Sequence, residues 1–379
     1  MRIGVMTFWQ TQDNYGQLLQ CYALQKYLRD LGHDAFLIRY RMRGETSVGF
    51  KRKLLKYGLH PWRVLDGIRR VLTRRRTSRM AVEHSRGFDA FRKQHLRFSE
   101  FEYRTIAELR ANPPAADAYI VGSDQVWRMG ANFHPDDELA MLLAFGPKAV
   151  KRISYAASFG RTMLPPRECT RFAPLLKEFE AVSVREDSGV RICAAMERGD
   201  AITVCDPTLL LSEREYRMIA ESHLPARKYV FCYMLTNDCS FKYPKLCAWA
   251  ESQGLGIVYV KGNLLLHSMF ADDEAECANP TIQQWMGLID GAECVITNSF
   301  HCSVFAAHFG KRLGLVPLEG RCGGMNSRFD ALDKLLVNPI SRIENNEFGL
   351  LSDMRTLRFK EDAGASGVDF LAHSVGRVG

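Results

Sequence analysis

RIGVMTF (residues 2–8), NYGQLLQCYALQKYLRDLG (14–32) and DAFLIRY (34–40) decide the fold class, because in this order they read as strand, helix, strand. Asn14 offers an N-cap, Leu18, Cys21, Leu24, Leu28 and Leu31 then recur on one helical face, and Gly32 can stop the helix. A helix between two neighbouring strands makes a crossover, so the strands are expected to run parallel.

The same alternation continues outward. DAYIVGSD (117–124), RISYAASFG (152–160) and EAVSVRED (180–187) extend the first series of strands. A second series follows in ITVCDPTLLL (202–211), KYVFCYML (228–235), GIVYVKG (256–262), CVITNSF (294–300) and RLGLVPL (312–318). Between its last members a helix is predicted near 244–253. Another is predicted in TIQQWMGLIDGA, where Thr281 and Gln284 have capping-box spacing and Trp285, Leu288 and Ile289 share a face. The chain reads as α/β with two Rossmann-like domains: an N-terminal one over 1–195 carrying a basic helical insert at about 45–100, and a C-terminal one over 196–345. A tail over 346–379 follows, for which packing back on the N-terminal domain is one option.

At 379 residues the chain can bury a sizeable core, and 46% hydrophobic with 25% charged residues excludes disordered, collagen-like and disulfide-scaffold classes. No run approaches ~18 apolar residues, and MRIGVMTFWQTQDN turns polar without a signal-type apolar region. A soluble, cytoplasmic protein is expected. The eleven cysteines include no CxxC pair, which argues against a zinc knuckle or dithiol motif and for buried, reduced thiols; no metal site is expected.

The net charge of +8 is concentrated. Residues 39–79 hold fourteen Lys or Arg against Glu45 and Asp66, a local +12, which leaves the remainder at −4. Trp62, Val64, Leu65, Ile68, Val71 and Leu72 interleave with the charges at near-helical spacing. A solvated helical face, a peripheral contact with an anionic membrane at its inner face, and a nucleic-acid patch all fit that pattern. No nucleic-acid module accompanies it, so no nucleic-acid partner is expected.

Ligands of open parallel sheets bind beyond the carboxyl ends of strands. Five such places carry chemistry: Asn14, Tyr15 and Gly16; Gly122, Ser123, Asp124 and Gln125; Ser158, Phe159 and Gly160; Arg185 and Glu186; and Ser299, Phe300 and His301. They supply a carboxylate, an imidazole, a guanidinium, hydroxyls and backbone amides, a set suited to an anionic substrate that needs proton transfer. Taken singly each has a plainer reading. Asp124 fits a turn cap, Arg185 a pairing with Glu186 or Asp187, His301 a helix residue satisfied by backbone, and His308 a packed or solvent-facing side chain.

NYGQLLQCYALQKYL, VGSDQVW, SYAASFG, SVRE, DPTLLL, QQWMGLIDGAECVITNSFHCSVFAAHFGKR and SRFDALDKLL, in this order, resemble the polysaccharide pyruvyl transferase family over roughly residues 1–340. The resemblance implies two Rossmann-like domains facing each other across a cleft, the GT-B architecture. It also implies transfer of pyruvate from phosphoenolpyruvate onto a sugar of a polysaccharide, exopolysaccharide or lipid-linked glycan acceptor as a ketal, with release of phosphate. Phosphoenolpyruvate is then a donor substrate, and no cofactor is required. His301, Asp124 and Arg185 would act in catalysis. Asn14, Tyr15, Gly16, Gly122, Ser123, Gln125, Ser158, Phe159, Ser299 and Arg328 would bind substrate. Arg185 suits an anionic group of the donor, while His301 and Asp124 suit proton transfer or hydroxyl positioning.

Three positions depart from the family pattern. Asn298 stands where an Asp commonly precedes the SFH serine, Cys302 where a Gly commonly follows the His, and Arg128 where GSDQVW is commonly followed by Asn. A nucleotide-sugar-dependent GT-B glycosyltransferase and a non-catalytic glycan-assembly protein are the alternative functions; no DxD motif supports the former.

Overall fold

The computed structural model describes residues 1–43, 86–128, 133–221, 225–236, 238–262, 279–320, 323 and 326–376. Strand β1 (Arg2–Met6) leads through helix α1 (Tyr15–Asp30) to β2 (Asp34–Tyr40), as the opening stretch predicts. Asn14 caps α1 by accepting a hydrogen bond from the Gln17 N–H (3.1 Å). Gly32, at φ +88°, lets the chain leave the helix.

Helix α2 (Phe88–His95), β3 (Phe98–Tyr103), α3 (Ile106–Ala111), β4 (Ala118–Val121), α4 (Pro135–Met141), β5 (Lys151–Ala157), α5 (Pro166–Leu176), β6 (Ala181–Val184), α6 (Asp187–Ala194) and β7 (Ile202–Thr203) complete the first half. They form a seven-stranded sheet of order β3-β2-β1-β4-β5-β6-β7 in which every pairing is parallel. The second half contains α7 (Glu213–Ile219), β8 (Tyr229–Met234), α8 (Tyr243–Ser252), β9 (Gly256–Lys261), α9 (Ile282–Asp290), β10 (Cys294–Thr297), α10 (Phe300–His308), β11 (Arg312–Leu315), α11 (Ser327–Asp333), β12 (Ser341–Arg342) and α12 (Ala365–Val375). Its five strands are also parallel, in the order β12-β11-β10-β8-β9.

Two readings need correction. Residues 86–103 do not continue a helical insert to about 100: α2 is short, and Phe98–Tyr103 is the edge strand paired with β2. The run 202–211 does not open the second series, because Ile202–Thr203 pairs with β6 and Pro207–Leu209 turns into a 3-10 helix. The basic residues beyond Arg43 and the membrane reading built on them fall within 44–85, outside the described residues. Arg39 and Arg41, at the start of that run, stand over the rings of Phe98 and Trp9, and Arg41 is paired with Glu102. No helix among the described residues is long and apolar enough to cross a membrane.

An apolar core runs under both halves. Tyr15 of α1 is fully buried, its ring stacked on Trp285 of α9 at 5.1 Å, and its hydroxyl donates to the Pro280 carbonyl (2.8 Å). Near its end the chain returns to the first half, where α12 packs on β5 and Gly376 accepts a hydrogen bond from His33. The strand order reverses direction between β1 and β4 in the first sheet and between β8 and β10 in the second, which marks both places as ligand crevices.

Candidate functional site

The turns beyond those two crevices carry most of the residues that the motifs single out. Beyond β1 and β4 lie Asn14, Gly16 and Gly122–Gln125; beyond β10 lie Asn298, Ser299 and His301. Gly16, in the first turn of α1, fits directly against the His301 side chain in the first turn of α10, so the two halves touch at the site.

Arg185, at the end of β6, is almost wholly buried among three carboxylates. Its Nη1 donates to Asp206 Oδ2 (3.0 Å), its Nε approaches Glu186 Oε1 (3.5 Å), and its Nη2 lies 4.0 Å from Asp124 Oδ1. Burial alone would lower the guanidinium pKa, but Glu186, Asp206 and Asp124 outweigh it and raise the value above the ordinary one. Nη2 is nevertheless a buried group without a hydrogen-bond partner, and so is Nε2 of His301. Buried polar groups are seldom left this way, so two unsatisfied groups in one centre make it a candidate ligand site.

Asp206 lies between them, fully buried. Its Oδ2 accepts from Ser123 Oγ (2.8 Å) and stands 3.7 Å from His301 Nε2; its Oδ1 accepts from the Thr208 N–H (3.1 Å) and hydroxyl (2.8 Å). Burial would push this carboxyl up, but His301, Arg185 and the Thr208 N–H outweigh it and hold the group well below the usual carboxylate range. Asp124 has φ +72°, and its Oδ2 accepts from Gln17 Nε2 (2.8 Å). Ser158 Oγ donates to Glu186 Oε1 (2.8 Å) and accepts from the Gly160 N–H (3.1 Å). Arg328 of α11 and Arg185 both face the Phe300 ring, with Cζ 5.9 and 4.9 Å from its centroid. Burial and the like charge of Arg185 bring Arg328 down to about 10.

The structure thus gathers His301, Asp124, Arg185, Ser123, Ser158 and Arg328 around one centre. Asn14 and Ser299 sit beside it as helix caps, and the Gly122 N–H donates to the Met6 carbonyl. Gln125 accepts from Arg128 Nη1 (3.0 Å). Tyr15 and Phe159, expected at the substrate, are packing residues: Tyr15 stacks on Trp285, and Phe159 lies against Trp127 at 5.2 Å. His308 is buried, with its Nε2 2.9 Å from the Thr208 carbonyl.

Asp206, Gln17 and Thr208 were not assigned a role from sequence. The available signal was position: Asp206 follows the apolar run ITVC within DPTLLL, and Gln17 lies in NYGQ. The departures are accommodated structurally. Asn298 Oδ1 accepts from the Leu235 N–H (2.7 Å) while its Nδ2 donates to the Thr236 carbonyl (2.8 Å). Cys302 is fully buried, and burial pushes its thiol up. Among the described residues, no group of three or more His, Cys, Asp or Glu side chains is disposed to hold a metal ion.

A family model described as polysaccharide pyruvyl transferase matches residues 14–314. No curated protein matches the chain. Among solved structures, a UDP-GlcNAc 2-epimerase from Methanocaldococcus jannaschii is similar with a TM-score of 0.55 and 10% identity, covering 98% of this chain and 99% of that chain. A Methanocaldococcus jannaschii UDP-GlcNAc 2-epimerase in complex with UDP-GlcNAc and UDP gives 0.49 at 10% identity, covering 98% and 100%. At such identity the likeness concerns the fold alone, and it identifies the paired parallel sheets as GT-B-like.

Proposed function

The chain belongs to the polysaccharide pyruvyl transferase family, and we propose that it moves pyruvate from phosphoenolpyruvate onto two hydroxyls of a sugar in a glycan precursor. The observation that carries this reading is the pair of buried, unsatisfied groups, Arg185 Nη2 and His301 Nε2, set among carboxylates where the two crevices meet.

The reaction's needs match these groups. A proton adds to the methylene carbon of the donor, which becomes a methyl group, and C2 becomes electrophilic. One sugar hydroxyl adds to C2 and loses its proton; the C2–O bond to phosphate breaks, and the second hydroxyl adds and loses its proton. Of the two hydroxyl protons, one replaces the proton given to the methylene and the other leaves with phosphate or solvent.

Arg185, held charged by its neighbours, offers Nη2 to a donor carboxylate or phosphate oxygen. Arg328 adds a second guanidinium facing the Phe300 ring. His301 and Asp124 divide the proton transfers, with His301 Nε2 free of any competing hydrogen bond and Asp124 oriented by Gln17. Exclusion of water by the buried surroundings strengthens each of these interactions.

Arg185→Lys keeps the charge and loses the planar fork, so the KM for phosphoenolpyruvate should rise by about tenfold or more in a folded protein. Unchanged donor kinetics would remove Arg185 from the donor site. Binding of a nucleotide sugar, with no phosphate released from phosphoenolpyruvate, would favour a glycosyltransferase instead.

A further inference from the structure

We propose that Asp206 is a positioning residue of this centre, holding Arg185 and His301 in one charged unit and acting through them rather than on substrate. Its part in turnover rests on the pyruvyl-transfer reading; its effect on His301 does not.

Both oxygens of Asp206 are committed. Oδ1 takes two donors from Thr208, and Oδ2 takes Ser123 Oγ and Arg185 Nη1. A buried carboxylate with four donors stays anionic and is a poor proton acceptor, so it does not serve as the base. His301 Nε2 stands 3.7 Å from Oδ2, within ion-pair distance and too far for a hydrogen bond. Nε2 therefore sits beside a negative charge without being tied up in a hydrogen bond, and it remains open to a ligand. Ser123 and Arg185 come from the ends of β4 and β6, Thr208 from the 3-10 turn beside Asp206 and His301 from α10, so one carboxylate links the donor-binding group of the first half to the proton carrier of the second.

Other charged groups lie around this centre. Arg185, from β6, is paired with Asp124 and Glu186, and Arg185 and Arg328, from α11, both face the ring of Phe300, the residue before His301. The first turn of α1 meets His301 with Gly16 and brings no charge there. His308, farther along α10, is engaged with the Thr208 carbonyl. Among the described residues, Asp206 is the carboxylate within ion-pair distance of Nε2.

The test is an NMR titration of His301 in isotope-labelled full-length protein without substrate, for the wild type, Asp206→Asn and Thr208→Val. Asp206→Asn should lower the His301 pKa by about 1–3 units, the usual effect of losing an opposite charge at this distance. Thr208→Val strips one donor and leaves the carboxylate less neutralised, so it should move the value the other way, upward. A purely structural role produces no such pair of opposite shifts. If Asp206→Asn does not fold, the direction found in Thr208→Val decides alone. An unmoved or reversed titration in folded variants overturns the proposal, even if the wild type pyruvylates a glycan. Shifts as expected, with no phosphate released from phosphoenolpyruvate, leave the coupling standing and reject the reaction.

Discussion

Gly16 and His301 meet across the two halves with no space between them: a methyl group at position 16 would overlap Cβ and Cγ of the imidazole side chain. Gly16→Ala therefore forces one of the helices α1 and α10 to shift. Such overpacking costs roughly 1–3 kcal/mol of stability. A displacement near 1 Å at His301 should lower turnover by about 100-fold. Thermal unfolding with steady-state kinetics checks both; wild-type turnover in the Ala variant would show that His301 placement does not matter.

Asp124 separates a turn role from a chemical one, because its backbone sits at φ +72°, where glycine is at ease. Asp124→Gly removes the carboxylate and relieves the conformation, so stability should stay within about 1 kcal/mol of wild type. Turnover should fall by about 100-fold or more. A glycine variant that is both stable and fully active would make Asp124 a turn residue.

Asn298 uses both ends of its amide, tying the turn after β10 to the chain after β8. Asn298→Asp restores the residue common in the family but replaces a donor with an acceptor that faces the Thr236 carbonyl. The expected outcome in urea denaturation is a loss of about 1–3 kcal/mol, the cost of an unpaired buried polar group. Equal or greater stability in the Asp variant would contradict the assigned bonds.

His308 predicts an acid-side loss of stability. Burial lowers its pKa to about 4, against about 6.5 in the unfolded chain. As pH falls below 6.5 the unfolded state takes up a proton that the folded state refuses until about 4, so up to about 3 kcal/mol is lost across that window. His308→Gln, which keeps a donor for the Thr208 carbonyl and does not titrate, should flatten the slope between pH 7 and 4. An unchanged slope would assign the acid sensitivity to other groups.

What was legible in the sequence was local. The strand 34–40 forms over the residues read for it, and Thr281 and Gln284 make the reciprocal capping bonds that their spacing predicts. FSEFEY was missed because Glu100, Phe101 and Glu102 of an edge strand are all exposed, which hides the alternation. Ile202–Thr203 is too short a strand to declare its sheet. Asp206 escaped for a different reason: Ser123, Arg185 and His301 reach it from distant parts of the chain, and only the folded turns bring them together. Tyr15 and Phe159 show the converse, since proximity in sequence to candidate site residues did not place their rings at the centre.

The central claim is tested most directly by incubating the protein with phosphoenolpyruvate and extracted lipid-linked glycans while following phosphate release and glycan mass together. The account predicts one phosphate released per glycan that gains a pyruvate ketal, with His301→Asn slowing both by about 100-fold or more. No phosphate release, or phosphate release without the ketal mass on any glycan, would contradict it.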